Sequence, residues 1–326
     1  MTTLTVKQAG PMMSVQDLGR TGFVRMGVSA SGPMDGVAMR IANRLVGNGD
    51  NDALIEFSNV GGQFEVDEPV LFAVTGGAVS VTIDGDRVDC WASHTLAPGQ
   101  VLRIGALTSA VWGYIAFSGG IETEPVLGAR STHLRSAIGG LEGRRLAPGD
   151  VLPLGDTPET VLAGPQKVLR TPLHRFAGPI RVIKGPQAGH FDKAAWQQFL
   201  RGPFTVSGSR DRMAQVLEGQ EIVATGGHDI VSDGTVMGSI QVPASGRPII
   251  LMAERQTAGG YPKIATVASV DLPRLAQALT GSQIRFKLVS QEQAEDLWIA
   301  HTLALDEVLA DLDQAPDAAM FEGGRS

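Results

Sequence analysis

The chain has 326 residues, 43% hydrophobic and 19% charged, with a formal net charge of −7. That length can bury the core of one large or two ordinary domains, and the mixture is that of a globular protein. The negative balance, with no run of Lys or Arg, argues against nucleic acid and anionic membrane as partners.

Forty-one glycines beside only 5% aromatic residues indicate many tight turns and a β-rich architecture. Met1 to Gly10 carries Lys7 but no apolar core of a signal peptide. The longest uncharged stretch, Ile104 to Ile121, is broken by Gly105, Gly113, Gly119 and Gly120 and reads as strands, not as a membrane span. A single cysteine, Cys90, excludes an internal disulfide, reads as a buried inert thiol and fits a reducing, cytoplasmic setting.

In chain order, Asp35 is placed to cap a helix carrying Met39, Ala42, Leu45 and Val46, which Gly47-Asn48 stops. A strand is expected over Val70–Val74. Ala78–Ile83 alternates, and Asp84-Gly85 then turns it into Asp86–Cys90, a two-residue hairpin. Leu96-Ala97-Pro98-Gly99-Gln100-Val101-Leu102 is echoed by Leu146-Ala147-Pro148-Gly149-Asp150-Val151-Leu152, and more loosely from Leu217 to Ile222. The unequal spacing marks a reused turn-plus-strand device, not a solenoid. Val111–Phe117 is the next strand.

Between Asp156 and Pro179 the pattern weakens under Pro158, Pro165, Pro172 and Pro179, which places a domain boundary there. Beyond it come strands at Ile180–Lys184, Phe204–Ser207, Pro248–Met252 and Gln283–Val289. Helices are expected over Phe191–Leu200 and from Asp271 to Gly281. A last helix opens on the capping box Ser290/Gln293, with an apolar face of Ala294, Leu297, Trp298, His301, Leu305 and Leu309. The pattern is mainly β with a few helices, in two barrel-like lobes at 1–165 and 178–315, followed by a frayed tail at 316–326.

Familiar catalytic signatures are absent. There is no phosphate-binding G-x-x-x-x-G-K-[ST] loop, no G-x-S-x-G elbow, and no Ser three residues before any of the six lysines. The histidines are scattered without metal-ligand spacing, so no metal is expected. His228-Asp229 reads as a surface or turn pair.

Polar clusters among glycines stand out instead. Met252 to Lys263 follows the apolar Ile249-Ile250-Leu251, and its glycines let backbone N–H groups approach an anion. Arg255 can grip a carboxylate with two parallel hydrogen bonds and Lys263 adds a point charge, with Gln256, Thr257, Gly259, Gly260 and Tyr261 around them. The alternative is a bulge with solvated charges. A second cluster runs from Ser14 to Arg20 and from Gly27 to Asp35. There Asp35 is either a general base or a plain helix cap, with Asn43 and Asn48 on the same helix region. In a third, Gly128 to Thr132, Arg130 is either a ligand contact or half of a structural salt bridge.

These clusters resemble the Kip-type carboxyltransferase family, which includes the C subunit of 5-oxoprolinase and proteins labelled allophanate hydrolase subunit 2. The matching segments are Ser14–Arg20, Ser31–Asp35, Ala42–Asn48, Ala53–Glu56, Gly238–Pro243, Arg247–Met252, Arg255–Thr257 and Gly259–Ala265. Glu254 stands where Asp is commoner, and Ala258 where a second Thr is usual. The resemblance implies two tandem cyclophilin-like β-barrel domains, partnership with a Kip-type B subunit, and an A subunit that completes the enzyme. The implied reaction is ATP-dependent opening of 5-oxoproline to glutamate, with Asp35 and Lys263 catalytic. Arg20, Asn43, Arg130, Gln241, Arg255, Gln256, Thr257, Gly259, Gly260 and Tyr261 would then bind substrate. With no phosphate-binding loop, ATP would sit at an unorthodox site or on a partner.

Two other classes compete. One is the carboxyltransferase part of a biotin-dependent urea carboxylase, with biotin arriving on another protein because no biotin-carrier motif is present. The other is a Kip-type regulator that binds without catalysis.

Overall fold

A computed structural model of the chain describes residues 2–170 and 177–313. The expected tail at 316–326 lies outside the described residues. The five helices are α1 (Gly36–Leu45), α2 (Glu159–Leu162), α3 (Lys193–Arg201), α4 (Leu272–Ala276) and α5 (Gln291–Asp313); the rest of the regular structure is strands and short 3₁₀ turns.

The N-terminal half does not form one barrel sheet. Its strands divide into a six-stranded sheet built around Thr3–Gln8, Gln63–Val66 and Leu102–Leu107, and a five-stranded sheet centred on Trp112–Phe117. Every residue of Trp112–Phe117 is buried, as expected of an apolar run with partners on both edges. The Val79–Ile83 and Asp86–Val88 hairpin forms as the sequence indicates. Asp84 and Gly85 both take positive φ, the geometry that a two-residue turn demands. The echoed Pro-Gly turns are alike in chemistry as well as sequence. In one, Gln100 Oε1 accepts the Ala97 N–H at 2.9 Å; in the other, Asp150 Oδ2 accepts the Ala147 N–H at 2.7 Å.

The C-terminal half holds an eight-stranded sheet and a separate two-stranded ribbon; the larger sheet forms the barrel. It runs in the order 283–284, 204–210, 214–218, 249–251, 239–241, 263–267, 180–184, 286–288. Its two edge strands are consecutive in the chain, separated only by Arg285, so the sheet curls into a nearly closed barrel. The strand expected over Gln283–Val289 is therefore split between the two edges.

The helices follow their local signals with two exceptions. Asp35 caps α1 by accepting the Ala38 N–H at 3.1 Å, and Asp192 caps α3 in the same way. The Ser290/Gln293 capping box is present in both directions. The helix expected from Asp271 to Gly281 ends at Ala276, because the Arg210 guanidinium takes the Ala276 and Ala278 carbonyls. The apolar face expected on α5 is only partly used: Leu305, Leu309 and Leu312 are buried, whereas Trp298, Ile299 and Leu303 are exposed. Cys90 is half-buried against the N-terminal core.

One hydrophobic core runs from α1 and its supporting strands into the C-terminal barrel, and a second fills the N-terminal sheets. A buried polar network fastens the halves. Arg212, 1% exposed, reaches from the C-terminal half to the Glu56 carboxylate, to Glu254 Oε1 at 2.6 Å and to the Gly32 carbonyl at 2.6 Å. Glu56 Oε2 also accepts from the Met34 N–H at 2.7 Å and the Tyr114 hydroxyl at 2.8 Å. Burial pushes the Glu56 carboxyl up, while Arg212 and these donors pull the other way. All its partners are donors, which suits the carboxylate form.

Removing Arg212 would strand two buried carboxylates. Arg212→Met is expected to destabilise the chain by about 3–5 kcal/mol, read as a lower midpoint of urea unfolding. A loss below about 1 kcal/mol would show that the clamp does not hold the halves together.

Candidate functional site

The candidate residues fall into two groups by the partners they have. Asp35 has both carboxylate oxygens engaged: Oδ1 caps α1, and Oδ2 accepts from Gln277 Nε2 at 3.0 Å. Its backbone N–H donates to the Tyr114 hydroxyl at 2.7 Å. It is fully buried. Asn43 is likewise engaged, donating to the Asp52 carbonyl at 2.8 Å while its side-chain oxygen accepts from Asn48. Arg130 donates to the Thr123 carbonyl at 2.8 Å and pairs with Glu122.

Arg20 is buried and ties its loop to the Ser131 carbonyl. Its Nε and Nη1 have no hydrogen-bond partner. Burial lowers the guanidinium pKa, and Asp17 and Glu254 oppose that. Nearby His133 is also pushed down by burial, with Glu254 acting the other way.

The remaining candidates come together on the C-terminal barrel. Gln241 and Lys263 are cross-strand partners at the end of the adjacent strands Ser239–Gln241 and Lys263–Val267, where the register shifts. Gln256 Nε2 donates to Gln241 Oε1 at 3.2 Å, leaving the buried Gln241 Nε2 without a partner. Gly259 lies against that amide, and a Cβ there would stand 2.5 Å from Gln241 Nε2. No other residue fits without displacing the amide. Thr257 and Gly260 lend their carbonyls to the Thr235 and Ile230 N–H groups, and Tyr261 is exposed.

Two cations define the electrostatics. Lys263 is 1% exposed and its ammonium lies 3.0 Å from Asp233 Oδ2, its one counter-ion among the described residues. Asp233 sits on a two-stranded ribbon, Asp233–Gly234 against Ala258–Gly259, which carries it over the barrel end. The Arg255 side chain makes no hydrogen bond or ion pair among the described residues, and its buried Nε is unpartnered. Desolvation alone lowers its pKa. A buried guanidinium without an anion is costly to the fold and suited to receiving one.

Sequence reading missed Asp233 and Gln187. Nothing local marked either residue, whose contacts are made by the fold. Among the described residues no group of three or more His, Cys, Asp or Glu stands together to hold a metal ion, and no helix is long and apolar enough to cross a membrane.

A β-barrel half joined to a two-sheet half, with buried cations at the barrel end, is the arrangement of a carboxyltransferase domain. The family model "Carboxyltransferase domain, subdomain A and B" matches residues 26–288, and the chain belongs to that family, alongside the C subunits of 5-oxoprolinases. It is 37% identical to the C subunit of Escherichia coli 5-oxoprolinase, over 89% of this chain and 93% of that one. The corresponding figure for the C subunit of the Haemophilus influenzae enzyme is 34%, over 92% and 96%.

Among solved structures it superposes on the Kluyveromyces lactis urea amidolyase with a TM-score of 0.84 at 27% identity. That match covers 94% of this chain but only 20% of the larger enzyme. The structure named TTHA0988 gives a TM-score of 0.78 at 34% identity, covering 88% of this chain and 56% of that one.

Since its guanidinium has no partner, Arg255→Leu is expected to leave the melting temperature unchanged or raise it, the reverse of Arg212→Met. A fall of more than about 5 °C would make Arg255 a structural brace.

Proposed function

We propose that this chain is one component of an ATP-dependent 5-oxoprolinase that opens 5-oxo-L-proline to L-glutamate together with the enzyme's A and B subunits. The observation that carries this reading is coextension. The chain matches the C subunit of 5-oxoprolinase over nearly the whole of both proteins, whereas it matches only a fifth of urea amidolyase. In the same reading the chain has two domains, at 1–165 and 178–315, the second of them a cyclophilin-like barrel.

The site chemistry supports a small acidic amide as substrate. The Arg255 guanidinium, without an anion of its own, receives the substrate carboxylate. Lys263 places positive charge where a lactam carbonyl oxygen gains negative charge as the ring opens. The free Gln241 Nε2 adds a neutral donor beside it. A lactam is a stable amide, so its carbonyl needs activation, which ATP would supply. The sequence contains no phosphate-binding loop. In this reading ATP binds at an unorthodox site or on a partner protein.

The urea amidolyase superposition favours a second reading, transfer of a carboxyl group from biotin carried on another protein. The two readings demand different co-substrates. This chain alone should release no glutamate from 5-oxoproline. Combined with the A and B subunits, ATP and 5-oxoproline, it should form glutamate whether or not bicarbonate is present and whether or not excess avidin is added. Turnover that needs bicarbonate and disappears with avidin would establish the carboxyltransferase reading. No turnover under either regime, with stable complex formation, would favour a binding regulator. In the active complex, Arg255→Ala and Lys263→Ala are expected to reduce kcat/KM roughly tenfold to a thousandfold.

A further inference from the structure

We propose that Gln187 is a positioning residue of this site, its side-chain amide bridging the Lys263 backbone to the Asp233 carboxylate and so fixing the Lys263 ammonium. The inference rests on the role given to Lys263 above.

Gln187 follows Pro186 and leads into the 3₁₀ turn Ala188–His190. It is braced against Lys263 twice. Its backbone N–H donates to the Lys263 carbonyl at 3.3 Å, and its Oε1 accepts the Lys263 N–H at 3.2 Å. A backbone N–H requires an acceptor, so the amide oxygen must face Lys263 and the amide nitrogen must face the other way. There Nε2 donates to Asp233 Oδ2 at 3.0 Å, the same oxygen that the Lys263 ammonium meets at 3.0 Å. Asp233 Oδ1 accepts the Gly234 N–H at 2.8 Å. One carboxylate thus accepts hydrogen bonds from the turn before α3 and from its own ribbon, and lies at ion-pair distance from the barrel-strand ammonium, whose buried Nζ has no hydrogen-bond partner among the described residues. These groups hold the Asp233 carboxyl below its usual range, Gln187 foremost and Lys263 next.

The arrangement matters because its parts differ in rigidity. Lys263 belongs to a strand paired on both sides within the barrel. Asp233, with a side chain 48% exposed, belongs to a two-residue strand whose one pairing is with Ala258–Gly259. Without the Gln187 amide the carboxylate can turn to water. The ammonium, 1% exposed, would then lose its counter-ion and its fixed position.

The test uses Gln187→Met, which keeps the length of the side chain and removes both amide functions, and Gln187→Glu, which keeps an acceptor toward Lys263 and sets an anion against Asp233. In the full chain, a proton–nitrogen spectrum of lysine ammonium groups should show a slowly exchanging signal that Lys263→Arg removes. Gln187→Met and Gln187→Glu should each shift that signal or broaden it away, with the melting temperature within a few degrees of the parent. In the complex with the A and B subunits, kcat should fall roughly tenfold while KM for 5-oxoproline stays within about twofold. The inference is overturned if the parent chain shows no Lys263 ammonium signal, if both variants leave that signal unchanged, or if turnover falls only in proportion to lost stability. A changed signal with unchanged glutamate formation would uphold the clamp and remove Lys263 from the proposed chemistry.

Discussion

Arg212 stands where the two halves meet and carries an interaction that neither half can make alone. Its guanidinium is almost wholly out of water, which costs free energy unless every donor direction meets an acceptor. Glu56 and the Gly32 carbonyl come from the N-terminal half and Glu254 from the C-terminal half, so the penalty is offset only when the halves are docked. The same network reaches Tyr114 and the N-cap of α1 through Glu56, and the loop at Leu134 through Glu254 Oε2. Gln277 adds a further tie, donating to Asp35 and the Trp112 carbonyl while accepting the N–H groups of Val111 and Trp112.

That constraint also fixes the start of the segment that carries Arg255. Glu254 is held by Arg212 on one side and Leu134 on the other, and the chain runs directly from it into Arg255 and the glycine-containing segment. That segment is thus anchored at its start by the clamp between the halves and at its end by the barrel strand of Lys263. Arg255 Nε, Gln241 Nε2 and Lys263 Nζ there, and Arg20 Nε and Nη1 in the N-terminal half, are buried donors without a hydrogen-bond partner among the described residues.

Much of this was legible in the sequence, for physical reasons. Period-two alternation and Asp-Gly turns give hairpins by local rules, and Ser290/Gln293 or Asp35 give helix starts by capping chemistry alone. The distinction between ligand contact and brace was not legible, because it depends on partners distant in sequence. Asp35 is a cap whose second oxygen is taken by a residue 242 positions away, and the Arg130 backbone N–H is taken by Asp17, 113 positions away. Lys263 could be singled out as a cation near glycines. Its counter-ion Asp233, thirty residues earlier, is brought to it only by the pairing of two short strands. The N-terminal half misled in a different way: its strand signals are those of a barrel, and only pairing order reveals two sheets.

Gly259 shows how a residue with no chemistry of its own can govern a site. It is the backbone partner of Asp233, and its Cα rests against the Gln241 amide. A methyl group at that position would meet the tip of the Gln241 side chain first, so the amide, or else the ribbon that carries Asp233, would have to give way. One added carbon would thus reach a polar group on another strand, although the glycine offers no side chain of its own.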